Sequence, residues 1–189
     1  MSDLERSSEW RRRGKGCGCL LIVFVLLPFV LLKTCQNLDK HPTDQAMIGE
    51  FQGNRPTFAT LLKMMREESQ VTRVANDFIW IDGANNVDEA NRVQYLSDER
   101  LARYRALFDE LHLESGVVRR EDGSVGFLRS SSGIVTSGSS KEFIWSPNVI
   151  GSALKATDYR SLEDACVPKG GCRSVRRISP GWYVAFDSD

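Results

Sequence analysis

The chain has 189 residues with zero formal net charge; 41% of them are hydrophobic and 26% charged. This composition excludes a largely disordered chain. Once the first forty or so residues are set aside, about 150 remain, a normal size for one domain with one core. Six of the 25 basic residues lie at or before Lys33, against three of the 25 acidic ones, so the remainder is mildly acidic and no nucleic-acid partner is expected.

Residues 1–16 hold Arg6, Arg11, Arg12, Arg13 and Lys15 and read as a cytoplasmic basic N-terminus. Cys17 to Leu32 then runs CGCLLIVFVLLPFVLL without a charge. At ~1.5 Å per residue this run spans about 24 Å, and Gly16 with a snorkelling Lys33 extends it toward the ~30 Å hydrocarbon core. A buried soluble helix would keep a polar face, which this run lacks. The sequence therefore predicts a single transmembrane helix over 17–33 in contact with membrane lipid. A linker over 34–43 and a periplasmic domain over 44–189 follow, which places the protein in a bacterial inner membrane. Cleavage as a simple signal peptide would need a small-x-small pattern, absent from KTCQNLDKH. The alternative location is that of a lipoprotein acylated at Cys35. Leu32 suits the required position before that cysteine; Lys33 and Thr34 suit theirs poorly.

Beyond the linker, Thr43 or Asp44 is placed to cap a helix. Met47, Phe51, Phe58, Leu61 and Met65 follow helical spacing, and Gly53-Asn54-Arg55-Pro56 should kink or divide it, because proline lacks a donor. Val71 to Ile81 reads as a strand centred on Phe78 to Ile81, and residues 82–95 as a polar connection. A second helix starts at Ser97, buries Leu101, Tyr104, Phe108 and Leu111, and should end with Gly116 as its left-handed terminal residue. Three hairpins are expected after it. Val117–Glu121 and Ser124–Arg129 flank Asp122-Gly123, Ile134–Thr136 and Glu142–Trp145 flank a Gly/Ser turn, and Arg173–Ile178 and Trp182–Phe186 flank Ser179-Pro180-Gly181. The fold class is thus α+β, with two helices packed on an antiparallel sheet built from hairpins.

With F-x6-F-x2-L at Phe51 to Leu61, RLARYRALFDEL at Arg100 to Leu111, SSSGIVTSGSSKEFIW at Ser130 to Trp145 and GWYVAF at Gly181 to Phe186, the chain resembles a group of small, uncharacterised envelope proteins of Gram-negative bacteria. They carry an N-terminal lipoprotein signal or membrane anchor. The resemblance covers roughly residues 45 to 186 and implies envelope location and architecture rather than a chemistry.

The Ser/Gly/Lys stretch is the best place to look for a site. Ser137, Ser139, Ser140 and Lys141 are the candidate ligand or partner contacts, and together they would suit an envelope hydrolase with a serine nucleophile and a lysine base. The S-x-x-K spacing is absent, since Gly138 stands three before Lys141, and so is the phosphate-binding G-x4-G-K-[ST]. No catalytic residue is assigned, and close packing of small residues in a hairpin is the plainer expectation. His41 in the linker and His112 at a helix end give little for a triad. Arg119, Arg120 and Arg129 could form an anion-binding strip, although surface charge pairing explains them as well. Trp80, Trp145, Trp182 and Tyr183 are expected to serve packing before they serve a carbohydrate platform.

Cys166 and Cys172 flank VPKGG, and a disulfide is expected between them in an oxidising compartment. With two histidines in the whole chain, neither a metal nor another cofactor is expected. The leading expectation is a non-enzymatic interaction module, an immunity-type inhibitor being its narrower version. Its partner would be an envelope protein or a cell-wall component.

Overall fold

The computed structural model describes residues 41–82, 87, 89–134, 137–148, 154–155, 160–166 and 171–188. The expected basic N-terminus, the transmembrane helix over 17–33 and Cys35 lie outside them. The chain divides into Met1–Lys40 and His41–Asp189, and the fold below is that of the second unit.

Helix α1 (Asp44–Gly53) starts where Thr43 accepts a hydrogen bond from the Ala46 amide. It stops at Asn54, and α2 (Arg55–Glu67) begins at once with Pro56 in its first turn, where a missing N–H costs nothing. Of the expected kink or division, the chain takes the division, into two helices. Met47, Phe51, Phe58, Leu61 and Met65 are all buried, at 3% exposure or less. Helix α4 (Asp98–Glu110) is capped by the Ser97 hydroxyl on the Arg100 amide and buries Leu101, Tyr104 and Phe108. Two four-residue helices complete the set, α3 (Glu89–Arg92) and α5 (Leu162–Ala165).

Gly116 does not end α4. The helix closes on Leu111 and His112: the His112 amide donates to Asp109 O (3.2 Å) and the Leu113 amide to Phe108 O (2.8 Å). That pair of bonds is a Schellman motif, with His112 in the left-handed conformation at φ +52°. Gly116 instead takes φ +74° at the start of the next strand, where a Cβ would collide with the backbone of Val74 and Ala75. The glycine answers a close approach of two strands rather than a helix end.

The strands are β1 (Val71–Val74), β2 (Ile79–Ile81), β3 (Val117–Arg119), β4 (Val125–Ile134), β5 (Ser137–Trp145), β6 (Leu154–Lys155), β7 (Cys172–Ser179) and β8 (Trp182–Ser188). They form one sheet in the order β2-β1-β3-β4-β5-β8-β7-β6. Every pairing is antiparallel except that of β6 with β7. The α+β class with an antiparallel sheet stands, although three long helices replace the expected two.

Two further differences concern turns. Val71 to Ile81 is two strands rather than one, reversing where the Ala75 amide bonds Phe78 O. The Gly/Ser segment 137–141 is itself strand rather than turn, with β4 and β5 paired from Ser137 against Ile134 to Trp145 against Val125. Ser and Gly count against a strand by propensity, but β8 and β4 flank this segment and supply its backbone partners.

One sheet face meets the helices. Phe51, Phe58, Phe127, Phe143 and Trp182 interlock there with ring centroids 4.7–6.4 Å apart. A smaller apolar set, Ile144, Val175, Tyr183 and Ala185, lies on the opposite face. Among the described residues no helix is long and apolar enough to cross a membrane.

Candidate functional site

Strand alternation sorts the Ser/Gly/Lys segment by face. Ser139 and Lys141 share the parity of Phe143, which points into the helix-covered core. Ser140 has the opposite parity, opposite Asp187 of β8. The side chain of Ser137 lies outside the described residues. The sheet thereby separates Ser140 from Ser139 and Lys141, which lie on one side of it.

Lys141 is fully buried. Its Nζ donates to Pro42 O (2.8 Å) and to Asp44 Oδ1 (2.7 Å), and pairs with Glu163 Oε1 at 2.7 Å. An ammonium has three donors, and three oxygens take them. Asp44 is buried too. Its second oxygen accepts the Leu162 amide at 3.0 Å and lies 3.3 Å from Arg176 Nη2. Ser174, also buried, donates its hydroxyl to Leu162 O (2.7 Å). Four separate pieces of chain thus meet on one aspartate–lysine pair: residues 41–44, β5, α5 and β7.

His41, weighed in the sequence as a linker residue, closes this cluster. Its Nδ1 lies 2.7 Å from Ser130 Oγ and its Nε2 2.8 Å from Ser139 Oγ, and the ring meets Phe186 edge-on at 5.6 Å. A neutral imidazole satisfies both serines, donating through one nitrogen and accepting through the other. Its pKa is lowered, first by burial and then by the charge of Lys141, against the opposing pull of Glu163 and Glu114. No local sequence signal marks His41, because its two partners lie 89 and 98 residues away.

The disulfide joins Cys166 to Cys172 across a Cα–Cα distance of 5.6 Å. It ties the end of α5 to the first residue of β7. Among the described residues no group of three or more His, Cys, Asp or Glu is arranged to hold a metal.

The arginines of the expected anion strip are each engaged. Arg119 donates to Glu68 O and Ser69 O, both at 2.8 Å, and Arg129 pairs with Glu50 at 3.0 Å. Arg120 pairs at 2.6 Å with Glu142, a buried carboxylate that also takes Arg173 at 3.0 Å. Gly126 makes room for that triad, since a Cβ there would lie 2.8 Å from Arg120 Nη1. The aromatics divide likewise. Trp182 joins the core and Trp145 lies under Arg66. Trp80 stacks on Phe78 with Arg73 over both rings, and it borders a shallow, open depression of about 520 Å³ with Thr72, Val118 and Arg120.

No family model, curated protein or solved structure matches this chain.

Proposed function

We propose that this is a bacterial envelope protein anchored by residues 17–33, whose α+β domain acts in the periplasm as a non-enzymatic binding module for an envelope protein or cell-wall component. Likeness to the small Gram-negative envelope proteins supports the location, as does the charge-free run of sixteen residues behind an arginine cluster. The observation that carries the non-enzymatic part is the state of Lys141. Its donors are spent on Pro42, Asp44 and Glu163, with no serine hydroxyl among those partners, so the segment 137–141 lacks the base that a serine–lysine hydrolase requires. The reactive groups here hold chain segments together, leaving surface as the working part. An immunity-type inhibitor is the narrower form of this reading, since inhibition needs only a complementary surface.

A hydrolase remains the second reading because of one contact, His41 Nε2 at 2.8 Å from Ser139 Oγ. In that reading His41 replaces Lys141 as the base and Ser130 orients the ring. Labelling of the full chain with a fluorophosphonate separates the two. The binding-module reading expects no adduct on Ser137, Ser139 or Ser140. An adduct on Ser139 that disappears in His41→Ala would replace it with the hydrolase. Location is checked by alkaline phosphatase fused after Asp189, expected to be active outside the cytoplasm; a fusion active only inside would overturn the anchored, periplasmic placement.

A further inference from the structure

We infer that the Cys166–Cys172 disulfide controls how firmly the chain at His41–Asp44 is docked on the sheet, through the buried Asp44–Lys141–Glu163 cluster. Helix α5 has four residues, far too few to hold itself together in water. It is held from outside. Ser161 caps it through the Asp164 amide, Leu162 O accepts from Ser174, and the disulfide fastens its last turn to β7. In exchange, α5 completes the cluster at the other end of the chain: the Leu162 amide satisfies Asp44 Oδ2 and Glu163 satisfies Lys141.

Those two contacts join elements far apart in sequence. Leu162 and Asp44 are 118 residues apart, so their hydrogen bond is a tertiary contact and not a local turn. Asp44 is the first residue of α1, and Lys141 also grips Pro42 O just before it. Release of α5 would leave a buried carboxylate without its amide and a buried ammonium without one of its two counter-charges. Buried groups tolerate such losses badly, so the His41–Asp44 segment would loosen with α5.

The chemical step is reduction by a dithiol. Two electrons and two protons pass to the disulfide, the S–S bond breaks, two thiols form, and the reductant closes into its own disulfide. Cys172 is half-buried at the start of β7 and Cys166 is buried at the end of α5. Linkage makes the effect reciprocal. Whatever pulls residues 41–44 from the sheet, whether a partner or tension on the N-terminal side, makes the disulfide easier to reduce.

Hydrogen exchange on the full chain in detergent, with and without dithiothreitol, tests this. The reporting amides are Ala46 and Met47, which bond Thr43, and Leu162, which bonds Asp44. Reduction should speed all three by about fivefold or more while Phe143 and Val184 in the central strands keep their protection. The Cys166→Ala/Cys172→Ala variant should behave as the reduced protein, which sets aside the other three cysteines. Glu163→Gln, at a partly exposed position that should fold, should loosen Ala46 and Met47 with the disulfide intact and weaken the response to reduction. Faster exchange confined to 162–172, or a uniform loss of protection across the sheet, would each overturn the inference. The first would mean no coupling, and the second a plain staple of the whole fold. Neither result depends on whether the domain is an enzyme or where it resides.

Discussion

A lysine with no exposed surface needs oxygen on every donor, and Lys141 has it. Its two carboxylate partners are unequal. Asp44 is buried with it, whereas the Glu163 side chain is 36% exposed and shares its charge with water. Removing the cation by Lys141→Met takes the nearer counter-charge from buried Asp44, which keeps Arg176 at 3.3 Å, and a loss of about 3 kcal/mol is expected. Glu163→Gln leaves Asp44 in place and should cost about 1 kcal/mol or less. Urea unfolding of both variants checks the difference; equal losses would mean that Glu163, not Asp44, is the main counter-charge. The same residue shows what a linear reading can miss. Lys141 next to three serines suggested a base, but strand alternation and the distant Asp44 turned it into an anchor.

At the scale of elements, turns and caps account for most of the departures from expectation. Ser97, Thr43 and Pro56 act where their chemistry predicts, since capping depends on residues within a few positions. The end of α4 was not legible in the same way. A glycine four residues further on drew the helix terminus, while the chain turned at His112 with a side chain in the left-handed region. That conformation costs a non-glycine residue about 1–2 kcal/mol, part of which glycine gives back through its freer unfolded chain. His112 is exposed, so His112→Gly should stabilise the domain by about 0.5–1 kcal/mol, seen as a higher urea midpoint with an unchanged slope. A decrease would show that the imidazole makes a contact worth more than the strain. Segment 137–141 makes the complementary point. Its composition argues for a turn, and neighbouring strands override composition by offering backbone partners on both sides.

For the whole molecule, the first segment of the domain, residues 41–44, is locked by groups from β4, β5, α5 and β7. His41 makes this arrangement weaken as the pH falls. Its pKa is lowered from 6.5 by burial and by Lys141, so the unfolded chain takes up the proton first as pH falls. The stability tied to the neutral ring is whole above pH 6.5 and is lost as pH drops through the folded-state value. The stability gap between the natural chain and His41→Gln should accordingly be widest at pH 8 and narrow by pH 5. A gap that stays constant over that range would mean the ring is held without regard to its charge.

The sequence by itself determined the properties that depend on near neighbours or on a repeating pattern. These include an uncharged apolar run behind arginines, helical stripes whose residues are all buried, the Asp122-Gly123 and Ser179-Pro180-Gly181 hairpins, and a cysteine pair close enough in sequence to close a bridge. Tertiary structure alone decided the sheet order, the faces on which Ser139 and Ser140 lie, and the meeting of His41, Asp44, Lys141 and Glu163. The physical reason is range. Periodicity and capping act over a few residues, whereas a buried charge recruits whatever oxygen the folded chain brings to it, from however far along the sequence that oxygen comes.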